Sequence, residues 1–254
     1  ENQAATLYEV FKNKDDFIQF KNFLKEHRFD FDEVDESGKS LLILLIESDA
    51  SSELIWFCLE YFSDPNIQDN LGNTALHYAF IKNNRNYIYV LLLFNADLEI
   101  RNKEDPVDPE DEVPGRTPYE KANIFKEEEL EKIKSIIDPQ LKMVFTQLTR
   151  QRRDSLREIY NFLDDMKAGL SEEKLILLNI WLNGDNPDDA KSDAKDFMTL
   201  SKLYGGNTVS EIYYEEWVVA MTRIAKKHGV KKIDEFVALF EKTRETGKKI
   251  EDVL

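Results

Sequence analysis

The segment Asp35-Glu36-Ser37-Gly38-Lys39-Ser40 returns 34 residues later as Asp69-Asn70-Leu71-Gly72-Asn73-Thr74. A frame D-x-x-G-x-[S/T] repeated at a period of this size constrains the fold more than composition does. Each period supplies one small supersecondary unit that buries too little apolar surface to stand alone, so successive units must stack into a shared core. The apolar runs fit helices: Leu41 to Ile46 and Leu54 to Phe62 in one period, and Leu76 to Ala79 and Tyr87 to Leu93 in the next. Few Gly (9) and Pro (7) residues in 254 argue against a turn-rich all-β chain.

The best-formed period continues as Thr74-Ala75-Leu76-His77-Tyr78-Ala79, then Tyr87-Ile88-Tyr89-Val90-Leu91-Leu92-Leu93 and Asn95-Ala96-Asp97-Leu98. Residues 69–101 resemble an ankyrin repeat, with Ala75 at the family's proline and Asn95 at its closing glycine. Asn is the next best residue after Gly for a left-handed position. By period the resemblance extends over about residues 4–138, with atypical end units. Unit one has helices near Leu7 to Phe11 and Phe17 to Leu24. Unit two starts at Asp35 and closes on Asp64-Pro65-Asn66. Unit four restarts at Pro114-Gly115-Arg116-Thr117-Pro118-Tyr119, with Ala122 in place and a second helix near Glu127 to Ile137. Leu76, Ala79, Val90 and Leu91 are expected in the shared core. The resemblance implies that His77 links neighbouring turns by hydrogen bonds, and that finger tips and inner helices hold a protein partner. The positions so implied are Glu36, Ser37, Lys39 and Glu47 in unit two, and Asn70, Leu71, Asn73, Ile81 and Arg101 in unit three. Leu71 and Ile81 are apolar where that geometry predicts exposure, as in a binding patch.

The acidic stretch 104–112, with six acids and no base, lengthens the finger between units three and four by about ten residues. Two prolines and like charge keep it extended. Asp105, Asp108, Glu110 and Asp111 are its candidate partner contacts. The net charge of −16 is uneven: residues 1–138 hold 15 Lys+Arg and 30 Asp+Glu, whereas residues 139–254 hold 19 and 20. That field disfavours nucleic acid and anionic membranes and steers basic partners inward.

Residues 139–254 are expected to form a separate bundle of about five helices, which makes the fold all-α: a short solenoid followed by a helical bundle. One long amphipathic helix is expected from Leu141 to Gly169. The next starts at Ser171 and a third near Asp193. A capping box of Thr208 with Glu211 is expected to open a fourth, with Ile212, Trp217, Val218, Met221 and Ile224 on its core face. A fifth carries Ile233, Phe236, Val237 and Phe240. Asp185 to Asp196 lacks the bend glycine and closing glutamate of a calcium loop. Arg150 to Arg153 and Lys226 to Lys232 are basic clusters, read as solvated helix faces.

His27, His77, His228 and Cys58 are the chain's only His and Cys residues. They form no nucleophile–base or metal-ligand spacing, and no phosphate-cradling glycine motif is present. No catalytic residue, metal or cofactor is therefore expected. The expected role is a non-enzymatic adaptor or effector that binds a partner with a basic surface. The alternative is a repeat-targeted effector whose helical domain acts by itself, by enzymatic or other means. One cysteine and the lack of a leader or a membrane-length apolar run suggest a reducing intracellular compartment, with delivery into a host cell as a variant of the effector reading. The sequence leaves the oligomeric state open.

Overall fold

The computed structural model describes residues 30–61, 63–103, 115–122, 127–163, 170–171, 211–212 and 214–246. Two compact units divide the chain, Glu1–Ile137 and Asp138–Leu254. The expected helices of unit one, the acidic stretch 104–112 and the helices read from Ser171 and Asp193 lie outside the described residues.

In the N-terminal unit the period reads as finger, inner helix, outer helix. The inner helices are α1 (Leu41–Glu47), α3 (Ala75–Ile81) and α5 (Pro118–Ala122). The outer ones are α2 (Ser52–Glu60), α4 (Arg85–Leu93) and α6 (Glu127–Ile136). Inner packs on inner and outer on outer, so α1 meets α3, α3 meets α5 and α2 meets α4. A helix with neighbours on several sides cannot have a single wet stripe. This explains why Leu54 through Leu59 and Tyr87 through Leu93 are buried without a break. Leu76, Ala79, Val90 and Leu91 all lie fully inside, as expected.

Short helices need strong ends. Ser40 and Asn84 accept from the backbone N–H groups of Ile43 and Tyr87 and so cap α1 and α4. Asp49, Asn83 and Asn95 follow α1, α3 and α4 with φ of 56°, 51° and 66°. Each closes its helix with the same pair of bonds, seen for α4 as Asn95 N–H to Leu92 C=O (3.2 Å) and Ala96 N–H to Leu91 C=O (2.9 Å). Asn95 therefore fills the left-handed position anticipated for it.

The C-terminal unit holds α7 (Pro139–Gln147), α8 (Arg150–Leu163), α9 (Tyr214–His228) and α10 (Val230–Thr246). Its described core is Leu141, Phe145, Leu156, Ile159, Tyr160, Trp217, Val218, Met221, Ile233, Phe236 and Phe240, with neighbours. The buried polar side chains among its described residues are Thr222 and Thr243. Both donate to backbone carbonyls of their own helices, those of Val218 and Leu239.

Two expectations fail here. The single helix from Leu141 is two helices, because Leu148 leaves helical conformation with ψ 87° and Thr149 starts α8 by accepting Arg153 N–H. The Arg153 guanidinium donates to the carbonyl of Leu148 and to that of Phe145, which also accepts Leu148 N–H, and it lies over the Phe145 ring at 4.8 Å. Glu211 does not sit in a helical capping box. Glu211–Ile212 pairs antiparallel with Leu170–Ser171, and α9 starts only at Tyr214. The basic clusters are engaged inside the unit: Arg152 grips Asp234 at 2.6 and 2.8 Å, and Lys226 meets Asp138, the N-cap of α7, at 2.9 Å.

Candidate functional site

Three finger bases line one edge of the stack, and a single bond pattern builds them. In the first, the Asp35 carboxylate accepts from the N–H groups of Ser37 and Lys39 (both 2.9 Å), while Asp35 N–H donates to Lys39 C=O (2.9 Å). Burial works against the charged form of Asp35, but the Ser37 hydroxyl, which donates to the same carboxylate at 2.6 Å, together with those backbone bonds outweighs it and holds its pKa below the usual value. In the second, Asp69 accepts from Leu71 N–H (2.9 Å) and Asn73 N–H (2.8 Å), and its N–H donates to Asn73 C=O (2.9 Å).

The third finger lacks the aspartate, and Asn102 takes its place. Asn102 Oδ1 accepts Arg116 N–H (2.9 Å) and Asn102 N–H donates to Arg116 C=O (2.9 Å). Asp35 and Lys39, like Asp69 and Asn73, are four positions apart, whereas Asn102 and Arg116 are 14 apart. The longer finger thus rises from an ordinary base with ten residues added. Asn102 escaped the sequence reading because it carries no charge and its glycine, Gly115, lies beyond the insertion.

Stacking continues from finger to finger. Asn70 N–H donates to Ser37 C=O (2.9 Å) and Lys103 N–H to Leu71 C=O (2.7 Å). His77 ties unit three to unit four. Its Nδ1 lies 3.0 Å from Thr74 N, which can only donate, so Nδ1 is the acceptor. Nε2 therefore carries the proton and donates to Arg116 C=O at 3.0 Å. This is the link anticipated from the repeat. Burial, partly offset by that bond, holds the imidazole pKa below its usual value. In unit four Glu120 takes the place of His77: Thr117 N–H donates to its carboxylate (2.9 Å), a capping box.

The sequence-predicted positions separate on this frame. Glu36, Ser37, Asn70 and Leu71 are exposed at the finger tips, and Ile81 is exposed at the end of α3. Leu71 is 47% and Ile81 45% exposed. Asn73 is a correction: only 3% exposed, it accepts Asn102 Nδ2 at 2.9 Å, so its side chain braces two fingers and lies beneath the surface. Arg101 is likewise engaged, donating to Gly115 C=O (2.6 Å) and pairing with Glu120 (3.0 Å). Lys39 and Glu47 bind each other at 2.8 Å. Asp105, Asp108, Glu110 and Asp111 lie outside the described residues. Among the described residues, all three large apolar side chains exposed in the N-terminal unit lie on fingers or inner helices: Val34, Leu71 and Ile81.

Cys58 is fully enclosed and its thiol is pushed up to about 12, so it is no nucleophile. Among the described residues, no group of three or more His, Cys, Asp or Glu is arranged to hold a metal, and no helix is long and apolar enough to cross a membrane.

The ankyrin repeat family model, in three copies, matches residues 8–102. Residues 8–102 are ankyrin repeats. An ankyrin repeat protein of Acanthamoeba polyphaga mimivirus is 46% identical over 67 residues, 26% of this chain and 16% of that protein. The chain thus spans under a fifth of the relative's length. The finger, inner-helix and outer-helix order above is the repeat at the level of bonds. Ankyrin repeats imply a protein–protein interaction role.

Proposed function

We propose that the chain is a non-enzymatic interaction adaptor whose ankyrin fingers and inner helices hold a partner protein with a basic surface. The observation that carries this is that, among the described residues of the N-terminal unit, the exposed large apolar side chains all lie on fingers or inner helices. The outer helices α2 and α4 expose none, although both are rich in leucine and aromatics. Exposed Leu71 and Ile81 on a surface that also carries acidic side chains such as Glu36 suit apolar anchors flanked by Lys or Arg. Residues 30–103 hold 13 Asp+Glu against 5 Lys+Arg, a balance that favours basic partners at a distance. The acids of 104–112 extend the same field.

The test replaces Leu71 and Ile81 together by lysine in the full chain. Both side chains are half in water, so the fold should lose at most about 1 kcal/mol. Capture of the partner should fall by roughly tenfold or more, since each side chain is an anchor and the new charges oppose a basic surface. A pull-down that recovers the same protein in the same amount with the original chain and the double variant would sink the proposal.

A further inference from the structure

We infer that Glu47 and Tyr78 form a cage for a cation, and that Lys39 occupies it in place of an arginine or lysine of the partner. This rests on the reading of the repeat edge as the partner surface. The Lys39 ammonium lies 2.8 Å from each oxygen of Glu47 and 5.3 Å from the centre of the Tyr78 ring. A carboxylate and an aromatic face arranged around one ammonium make the set of contacts that selects a cation.

The aromatic wall is fixed independently of its occupant. Tyr78 donates its hydroxyl to Asp69 at 2.5 Å, and Asp69 is itself held by the N–H groups of Leu71 and Asn73. The ring is therefore set in place by the finger turn. Lys39, in contrast, serves the fold through its backbone: its N–H and C=O close the first finger on Asp35. The position is not committed to a cation at its repeat equivalent either, since 34 residues on it is Asn73.

The cage also lies where a partner would meet it. Glu47 and Lys39 side chains are partly open to solvent. Tyr78 and Ile81 are three apart on α3, hence on the same side of that helix. A partner residue seated against Ile81 places its neighbour over the cage. Arginine suits it better than lysine, because a planar guanidinium can meet the carboxylate with two bonds and stack on the ring. Lys39 is then a competitor of the partner and not a contact to it.

The test is fluorescence anisotropy of the full chain with a labelled arginine–leucine alternating octapeptide. The control is the same peptide with citrulline, which keeps the shape of arginine without its charge. Lys39→Ala should bind the arginine peptide about threefold tighter or more than the original chain. The citrulline peptide should show no such gain, and adding Glu47→Gln should erase it. Equal or weaker binding by Lys39→Ala overturns the inference, as does a gain shared by the citrulline peptide. Binding of the arginine peptide by neither chain does so as well, and so does a thermal melt showing that Lys39→Ala has unfolded. A failure here with capture still lost in the Leu71/Ile81 double variant removes the cage and leaves the partner surface standing.

Discussion

Gly115→Ala is expected to cost the N-terminal unit about 3 kcal/mol or more, far beyond an ordinary surface change. Two effects add. Gly115 has φ of +83°, where any side chain is strained by roughly 1–2 kcal/mol. A Cβ built there would also overlap the carbonyl oxygen of Asn102. That oxygen is backbone of the residue that closes the third finger, and Arg101 bonds to Gly115 C=O, so relieving the overlap means shifting bonded backbone. Gly229 provides the control. Its φ is +87°, but a Cβ there meets nothing within 4 Å, so Gly229→Ala should cost about 1 kcal/mol from strain alone. Urea denaturation of both variants measures the difference. A Gly115→Ala chain no less stable than Gly229→Ala would contradict the close approach at the third finger.

His77→Ala is expected to be nearly as damaging, at about 3 kcal/mol. The fully buried ring serves a donor and an acceptor at once; its removal strands Thr74 N–H, takes one of two donors from Arg116 C=O, which keeps Asn102 N–H, and leaves a cavity. An unpaired buried group costs about 1–3 kcal/mol. His77→Gln should recover part of the loss, because a Gln oxygen can accept Thr74 N–H as Glu120 accepts Thr117 N–H in the next unit. The two chains should also differ in pH dependence. Folding lowers the imidazole pKa below its usual 6.5, so the unfolded chain binds the extra proton first. The stability given by neutral His77 is complete above about pH 6.5 and declines as pH falls below it. Carboxylates whose pKa is lowered on folding, such as Glu120, act only below about 4.5. Between those limits the original chain should lose stability on acidification and His77→Gln should lose less. Parallel curves for the two would refute the neutral, doubly bonded ring.

Much of this was legible in residues that do one job in one conformation. Asp and Gly three apart specify a turn whose carboxylate binds backbone N–H groups and whose glycine has positive φ, so 35–40 and 69–74 could be read directly. Asn95 was legible for the same reason. The third finger was hidden because asparagine offers the same oxygen without the charge that made the motif conspicuous. The break between α7 and α8 was hidden because apolar spacing runs straight through Leu148, which is buried whether or not a helix continues. The break is marked instead by Arg153, whose guanidinium reaches back to the carbonyls of Phe145 and Leu148, a role that an arginine in a run of basic residues does not announce. At Glu211 a local capping signal lost to pairing with a strand about 40 residues earlier. The candidate surface was half legible. Repeat position correctly set Leu71 and Ile81 outward, but not the inward turn of Asn73 or the Lys39–Glu47 pair, since the first depends on Asn102 of the next finger and the second on a side chain at the far end of the inner helix.

The claim at the centre is that the partner lies on the finger and inner-helix edge. The most direct measurement places a photoreactive benzoylphenylalanine at Leu71 in one chain and at Glu53 in another. Glu53 is exposed on the outer helix α2, away from the fingers. After irradiation with the captured partner, the Leu71 chain should yield a covalent adduct and the Glu53 chain none. An adduct from Glu53 with none from Leu71 would place the partner on the opposite side of the repeats and contradict the account.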